Sequence, residues 1–204
     1  MKHIALYMAG SIQKDHEQSN EFWTNEHLLE LQKHLEPARV SFLNPAFRTD
    51  DLSDQKSVFG RDMLQVFSAD VVLVDARLKR GLGVGAEMMW AKFHNIPVVS
   101  WAPKESHYNK THAVILGVPV EHFVHPFVES LSDYIAETLL DAACYIQQVV
   151  NSPKNPCKGV TFIHEAMNHF IESGLASDLP MQEILSSNPY VRTKVFEQLN
   201  LERY

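Results

Sequence analysis

Residues 69–101, with the sequence A-D-V-V-L-V-D-A-R-L-K-R-G-L-G-V-G-A-E-M-M-W-A-K-F-H-N-I-P-V-V-S-W, decide the fold of this chain. Residues 71–74 form an unbroken aliphatic run, which is typical of a strand buried on both faces of a parallel sheet. Asp75 ends that run, and a loop leads to glycines and then to apolar residues at helical spacing. Residues 97–101 form a second apolar run. The stretch therefore predicts a strand, a helix and a strand joined by a right-handed crossover.

The predicted helix carries a single acidic residue, Glu87, close to its start. Gly83 and Gly85 precede it and leave room for a ligand to approach the backbone. Ligands of open α/β sheets bind at the carboxyl ends of the strands, and this helix begins at that edge. We therefore predict that Glu87 faces a ligand from the first helical turn, where the helix dipole favours the ionised carboxylate.

The bulk properties of the chain limit its function classes. With 204 residues and 45% hydrophobic content it forms a core without disulfides, and Cys144 and Cys157 lack metal-ligand spacing. The net charge of -7, without a long basic run, argues against a nucleic acid polymer as partner. His164 and His169 are five residues apart, so they cannot share a metal ion on one helix face. We expect a cytoplasmic protein that acts on a small molecule, with no cofactor, no metal and no membrane segment.

Hydrophobic periodicity predicts the other elements. Strands are expected at residues 4–8, 40–43 and 118–124. A helix is expected at residues 15–35, with Asp15 and Gln18 as its capping box, and another at residues 130–150. A further helix is expected before residue 69, with Val58, Met63, Leu64 and Phe67 facing inward. The polar residues 48–56 form a loop placed to act as a lid. The Pro-containing residues 151–156 read as a linker, so we predict domains at 1–150 and 151–204, the second with two or three helices.

The glycines around Gly83 allow two interpretations. Gly81, Gly83 and Ala86 match the dinucleotide-binding pattern G-x-G-x-x-A, but six residues separate that pattern from its strand, and Trp101 stands where an acidic residue is expected. In the other interpretation the glycines make room for a sugar, and Glu87 attacks its anomeric carbon. A carboxylate stabilises the cationic transition state of that reaction. An isolated Glu87 is also explained as an acid that complements the helix dipole.

Four motifs occur in a fixed order: Tyr7-Met-Ala-Gly10-Ser11-Ile12, Gly60-Arg-Asp62-Met-Leu, Ala69-Asp70-Val-Val-Leu-Val-Asp75 and Leu82-Gly-Val-Gly-Ala-Glu87. Together they resemble the nucleoside 2-deoxyribosyltransferase superfamily, and in particular its 2'-deoxynucleoside 5'-monophosphate N-hydrolase branch. The resemblance covers residues 3–125. It implies an enzyme that cleaves the N-glycosidic bond of a nucleoside or nucleotide, and a homo-oligomer in which residues 109–117 of one subunit complete a neighbour's pocket.

The resemblance also implies a role for each matching residue. Glu87 is the nucleophile that forms a covalent glycosyl-enzyme, and the Tyr7 hydroxyl orients it. Asp62 helps to bind the substrate and supports protonation of the leaving base. The residues that hold the sugar and, in the hydrolase branch, the 5'-phosphate are Gly10, Ser11 and Ile12. Gly83, Gly85 and Asp75, which ends a strand at the active-site edge, are further substrate-binding candidates.

Two departures from the family concern the phosphate. Gly81 stands where the transferases have an acidic residue and the monophosphate hydrolase a serine, and Gln13 stands where that hydrolase has an arginine. Basic residues of the adjoining loop can compensate for these losses: Arg77, Lys79 and Arg80.

These observations predict a flavodoxin-like α/β fold, that is, a doubly wound parallel sheet of five strands in the order 2-1-3-4-5, followed by a helical C-terminal extension. The predicted reaction passes the sugar from Glu87 to another base or to water. Two alternatives stay open at this point. One is an NAD glycohydrolase that uses the same glutamate, and the other is a non-catalytic nucleotide-binding module.

Overall fold

The computed structural model describes residues 2–11, 22–154 and 157–198. The chain divides into two compact units, Met1–Lys158 and Gly159–Tyr204. The strands of the first unit are β1 (His3–Ala9), β2 (Arg39–Leu43), β3 (Val71–Asp75), β4 (Val98–Trp101), β5 (Asn109–Ile115), β6 (Val118–Val124) and β7 (Tyr134–Ala136). Its helices are α1 (Asn25–His34), α2 (Gln55–Phe67), α3 (Leu82–Phe93), α4 (Pro126–Leu131) and α5 (Leu139–Asn151).

Five strands form one parallel sheet in the spatial order β2-β1-β3-β4-β7. Every residue of β3 is buried, because helices cover both faces of the sheet. Helices α1 and α5 pack on one face, and α2, α3 and α4 pack on the other. The predicted flavodoxin-like fold with five parallel strands is confirmed, and the crossover from β3 through α3 to β4 has the predicted form.

The predicted last strand, residues 118–124, is wrong as a member of this sheet. These residues form β6, which pairs antiparallel with β5 in a separate hairpin. Leu116 and Gly117 connect the two strands with φ of 49° and 84°, which is the left-handed backbone that a two-residue hairpin turn requires. The fifth strand of the main sheet is β7, which has only three residues and lies inside a stretch with helix-like periodicity.

Two helix starts also differ from the predictions. Helix α1 begins at Asn25, where Thr24 and His27 form a reciprocal cap: the Thr24 hydroxyl accepts from the His27 amide at 3.3 Å, and the His27 ring accepts from the Thr24 amide at 3.2 Å. The capping box expected at Asp15 and Gln18 lies outside the described residues. Helix α5 begins at Leu139 rather than at residue 130, because β7 takes up the preceding residues and Thr138 caps the helix.

The inward face predicted for α2 is wrong in part. Leu64 and Phe67 are 62% and 55% exposed, whereas Val66 is fully buried. The helix therefore turns a different face to the sheet, and it leaves large apolar side chains on its outer surface.

The second unit is helical, as predicted for the C-terminal extension. It contains α6 (Val160–Ser173), α7 (Leu179–Ser187) and α8 (Pro189–Thr193), with a short 3-10 turn after α6 and a π-helical turn after α8. Within the described parts of both units, no helix has the length and hydropathy that crossing a membrane requires.

A buried ion pair fastens α3 to the segment before β7. The side chains of Lys92 and Asp133 are both 1% exposed and in direct contact. Asp133 also accepts hydrogen bonds from the amides of Val98 at 2.6 Å and Lys158 at 2.5 Å. A buried carboxylate with this many partners is costly to leave without its cation.

Replacing Lys92 tests this pair. Lys92→Met should lower the free energy of unfolding by about 3–5 kcal/mol, because it leaves the Asp133 charge buried without its counter-ion. Urea denaturation measures the change. In the matched control Lys104→Met, the lost partner is the exposed Glu137, so the cost should stay below about 1 kcal/mol. Equal effects of the two substitutions would show that the Lys92 pair does not stabilise the sheet.

Candidate active site

Tyr7 and Glu87, which are 80 residues apart in sequence, meet beneath the carboxyl edge of the sheet. Tyr7 comes from β1 and is fully buried, and Glu87 comes from α3 and is 8% exposed. The Tyr7 hydroxyl donates a hydrogen bond to Oε1 of Glu87 at 2.8 Å. The two side chains therefore form one buried unit, with the tyrosine fixing the plane of the carboxylate.

The other carboxylate oxygen of Glu87, Oε2, is buried and has no hydrogen-bond partner within the described part of the chain. Helix α3 begins at Leu82, so Glu87 lies in its second turn and not in the first turn that we predicted. Burial raises the pKa of Glu87 to about 7, although the hydrogen bond from Tyr7 opposes this rise. The expectation of a carboxylate kept ionised by the helix dipole is thus wrong, since desolvation dominates.

Tyr7 stays protonated beside this carboxylate. Burial and the neighbouring Glu87 charge both raise the pKa of Tyr7 far above its ordinary value. A tyrosine that keeps its proton can donate to Glu87 throughout the physiological range of pH. The pair therefore supplies a carboxylate with one oxygen held in place and the other oxygen without a donor.

Asp62 lies on α2 and is held by two arginines. Its Oδ1 accepts from Nη1 of Arg48 at 3.3 Å and from Nη1 of Arg61 at 3.4 Å. Arg48 also binds Asp50 through Nε at 2.8 Å and Nη2 at 2.5 Å, and Arg61 donates to the carbonyl of Phe47 at 2.7 Å. These contacts fasten the loop that we predicted as a lid onto α2.

Sequence reasoning did not identify Arg48 and Arg61 as parts of the site. The available signal was weak, because Arg61 only neighbours Asp62 and Arg48 is one charge in a polar loop. Burial raises the pKa of Asp62, while the positive charges of Arg48 and Arg61 oppose the rise. The Asp62 charge in turn raises the pKa of both Glu87 and Tyr7, which places it within electrostatic range of that pair.

The loop after β1 contacts the loop after β3. A Cβ on Gly10 would lie 3.1 Å from Nε1 of Trp23, so a side chain at this position would crowd the Trp23 ring. Ser11 accepts a hydrogen bond from Nη1 of Arg80 at 2.9 Å. Ile12, the third residue predicted for this loop, lies outside the described residues. An arginine from the β3–α3 loop thus reaches the predicted phosphate-binding serine.

Asp75 is the buried anchor of these basic residues. Its Oδ2 is 2.9 Å from Nη2 of Arg77 and 2.7 Å from Nη2 of Arg80. Burial favours the neutral acid, but the hydrogen bonds and charges of both arginines hold the pKa of Asp75 below its ordinary value. Arg77 also lies over the ring of Trp101 at 4.1 Å, and Trp101 stacks on Trp23. One buried carboxylate here thus contacts two guanidinium groups.

Three cavities adjoin these residues, and one of about 500 Å³ is lined by residues 47–50 and Arg61. A cavity of about 460 Å³ lies where β1 and β2 end, and its lining includes Ser11, Trp23, Asn44 and Phe47. Another cavity, of about 420 Å³, has almost entirely apolar walls, most of them from α3 and α4. Gly85 is part of its lining and Glu87 is not. A Cβ on Gly83 or Gly85 would meet no atom within 4 Å, so both glycines face open space. The described residues hold no group of three or more metal-ligating side chains.

Comparisons with known proteins show what the fold is similar to. No protein-family model and no curated protein sequence matches the chain. A crystal structure of a conserved protein from Enterococcus faecalis V583 matches with a TM-score of 0.52 and 16% identity, over 72% of this chain and 98% of that one. At this identity the match shows a shared fold.

Two 2-deoxyribosyltransferases are also among the structural neighbours. The 2-desoxiribosyltransferase from Leishmania mexicana has a TM-score of 0.47 and 15% identity, covering 71% of this chain and 97% of that one. The 2-deoxyribosyltransferase from Bacillus psychrosaccharolyticus has a TM-score of 0.38 and 14% identity, covering 52% and 77%. The fold and the site together define a flavodoxin-like α/β domain with a buried tyrosine–glutamate pair.

The raised pKa of Glu87 predicts a pH-dependent stability. A folded-state pKa of about 7, above the unfolded value, means that the contribution of Glu87 is favourable at low pH and is lost as pH rises through 7. Glu87→Gln should therefore raise Tm by about 2–4 °C or more at about pH 8.5, and by clearly less at about pH 5.5. Differential scanning fluorimetry measures both values.

The exposed Glu172 on α6 provides the control, since Glu172→Gln should leave Tm unchanged at either pH. If Glu87→Gln shifts Tm equally at both pH values, Glu87 does not carry a buried charge.

Proposed function

We propose that this chain is an N-glycosidase of the nucleoside 2-deoxyribosyltransferase type, which cleaves the N-glycosidic bond of a 2'-deoxynucleoside or its 5'-monophosphate. The observation that carries the proposal is the buried contact between Tyr7 and Glu87, which leaves Oε2 of Glu87 without a donor. The sequence motifs around both residues support the same reaction. Both cysteines are free, in agreement with a cytoplasmic role in nucleotide salvage.

Glu87 is the nucleophile in this mechanism. Its Oε2 attacks C1' of the sugar as the bond to the base breaks, and the Tyr7 hydroxyl holds Oε1 so that the carboxylate keeps one orientation. Poor solvation makes the ionised carboxylate more reactive, because no water shell must be removed before attack. The deoxyribosyl group then passes to a second base or to water, and two successive inversions give net retention at C1'.

A 2'-deoxy sugar suits this chemistry. Without the electron-withdrawing 2'-hydroxyl, the cationic transition state forms at a lower cost, and the negative charge of Glu87 stabilises it. Asp62 is the neighbouring acid: in its protonated form, which burial favours, it gives its proton to the departing base and is left as the carboxylate. Its own ion pairs with Arg48 and Arg61 keep it in place for this contact.

The 5'-phosphate has a candidate site at Gly10, Ser11 and Ile12. Arg80 donates to Ser11, and Arg77 contacts the same carboxylate as Arg80, that of Asp75. These two basic side chains compensate for the arginine that the hydrolase branch has where Gln13 stands in this chain. We therefore favour the monophosphate over the free nucleoside as substrate. Gly83 and Gly85 stay proposed substrate-binding positions, because the space beside them is open.

The first assay measures base release from deoxynucleosides and their 5'-monophosphates, with and without a second free base, by liquid chromatography. Glu87→Ala should lower the rate by at least about 10³-fold, since it removes the group that takes the sugar. For the wild type, kcat/KM should rise as pH increases through about 7, because Glu87 must be ionised to attack.

Glu172→Ala, on the exposed face of α6, should keep wild-type rates. Base exchange with an added base identifies a transferase, and release without an acceptor identifies a hydrolase. Full activity of Glu87→Ala, or release of nicotinamide from NAD as the only reaction, would overturn the proposal.

We also propose that the chain is a homo-oligomer in which a second copy covers the outer face of α2 and α3. Large apolar side chains are exposed on that face: Phe59 (61%), Leu64 (62%), Phe67 (55%), Met89 (42%) and Phe93 (62%). Asp62 and Glu87 belong to the same two helices. A monomer seldom exposes many large apolar side chains on two neighbouring helices to water.

Light scattering coupled to gel filtration tests the oligomer. The wild type should elute as a dimer or larger assembly, and the double variant Phe59→Glu, Phe93→Glu should elute as a folded monomer, because two charges oppose burial of the face. The matched control is Leu29→Glu on α1, where the leucine is 71% exposed and lies away from this face. A monomeric wild type at tens of micromolar would contradict the proposal.

A further inference from the structure

The loop between β3 and α3 is irregular, so its shape depends on contacts with other parts of the chain. On one side, Asp75 contacts both Arg77 and Arg80. On the other side lies the segment before β5. There the His107 amide donates to the Arg77 carbonyl at 3.0 Å. The Tyr108 hydroxyl accepts from the Arg80 amide at 2.8 Å, so a residue outside all four sequence motifs fixes the backbone of Arg80.

Tyr108 is itself held at the base of the hairpin formed by β5 and β6. Its carbonyl accepts from the His125 amide at 2.9 Å. Its ring meets the His125 ring edge-on at a centroid distance of 5.2 Å, and it packs against the core on the α3 and α4 side of the sheet. A ring supported in this way carries its hydroxyl in one place. The Arg80 amide therefore meets an acceptor that is already in position.

The side chain of Arg80 extends from this fixed backbone to the loop after β1. Its Nη1 donates to the Ser11 hydroxyl at 2.9 Å, and its Nη2 lies 2.7 Å from Oδ2 of Asp75. Only 4% of the Arg80 side chain is exposed. A guanidinium group that is anchored at both ends and almost fully buried determines where the Ser11 hydroxyl lies.

Ser11 carries the effect of this arginine into a cavity. It lines the cavity of about 460 Å³ at the ends of β1 and β2, whereas Arg80 is not part of that lining. A serine hydroxyl that accepts from a guanidinium keeps its own proton to donate. The nearby positive charge favours an anion as the acceptor. Ser11 follows Tyr7 by four residues, and Tyr7 binds Glu87, so this donor lies at the same edge of the sheet as the reactive pair.

We infer that Tyr108 is a positioning residue for the 5'-phosphate of the substrate. It fixes the backbone of Arg80, Arg80 fixes the Ser11 hydroxyl, and Ser11 donates to a phosphate oxygen. A phosphate suits this arrangement because it is negatively charged and offers strong acceptor oxygens, whereas the 5'-hydroxyl of a nucleoside is neutral. The inference rests on the proposed function, and it adds a contribution from the base of the β5–β6 hairpin to the affinity for the phosphate.

Tyr108→Phe tests this role, because it removes the hydroxyl and keeps the ring. KM for a 2'-deoxynucleoside 5'-monophosphate should rise about 3- to 10-fold, the effect of one lost hydrogen bond, while kcat changes by less than about twofold. Steady-state rates of base release measure both constants. The matched control is Tyr134→Phe, which removes a hydroxyl that donates to Asp141 at 2.6 Å on the α5 side of the sheet. It should keep the wild-type KM.

Equilibrium binding separates this inference from the proposed function. A 2'-deoxynucleoside 5'-monophosphate and the same nucleoside without its phosphate are titrated calorimetrically into Glu87→Gln, which keeps the shape of the site and lacks the nucleophile. Adding Tyr108→Phe should reduce the preference for the monophosphate about 3- to 10-fold. Ser11→Ala should also reduce this preference. Combining both substitutions should reduce it no further than Ser11→Ala alone, because Tyr108 acts through Ser11.

The outcomes distinguish the two claims. A phosphate preference that Tyr108→Phe reduces, in a wild type that releases no base, would refute the glycosidase and keep the inference. The inference would be overturned if the monophosphate binds no more tightly than the nucleoside, or if neither binds. It would also be overturned by an unchanged preference in Tyr108→Phe, by an equal loss in Tyr134→Phe, or by additive effects of Tyr108→Phe and Ser11→Ala.

Discussion

The burial of Glu87 against Tyr7 is the constraint on which the rest of the site depends. A carboxylate in this position loses most of its hydration. The hydrogen bond from the tyrosine hydroxyl replaces only part of the stabilisation that water gives to an ionised carboxylate. The contact exists because β1 and β3 are neighbours in the sheet and α3 follows β3 directly. The sheet order thus brings together two residues that are 80 positions apart in the sequence.

The acidic residues of the site differ in whether a positive charge contacts them. Asp62 and Asp75 each contact two arginines, which opposes the effect of burial on their ionisation. Glu87 has only a neutral donor, the Tyr7 hydroxyl, so burial raises the pKa of Glu87 to about 7. Acids with different proton affinities, placed within a few side chains of one another, are the usual arrangement where one group reacts and the others bind. The loop before α2 is part of this arrangement, because Arg48 and Asp50 join it to Asp62.

The sequence predicted those elements whose residues form a clear local pattern. The aliphatic run of β3 and the helical spacing after it were sufficient to place the crossover and the active-site edge. The resemblance of four motifs connected Tyr7 with Glu87. By contrast, β7 has only three residues, which are too few to show a periodic pattern. Strand β6 is apolar like a strand of the core, but most of its residues are exposed, and its sequence does not reveal this. Ion pairs such as Arg48 with Asp62 depend on how a loop returns to a helix, which no local pattern encodes.

The hydrogen bond from the Lys158 amide to Asp133 determines where this polypeptide can be divided. The carboxylate of Asp133 accepts that amide as one of its partners, so the last residues before the second unit belong structurally to the sheet. A cut inside the Pro-containing linker would remove a donor from a buried charge, although the linker looks like a natural boundary. For grafting the helical unit onto another protein, or for expressing the sheet alone, the first usable junction therefore follows Lys158.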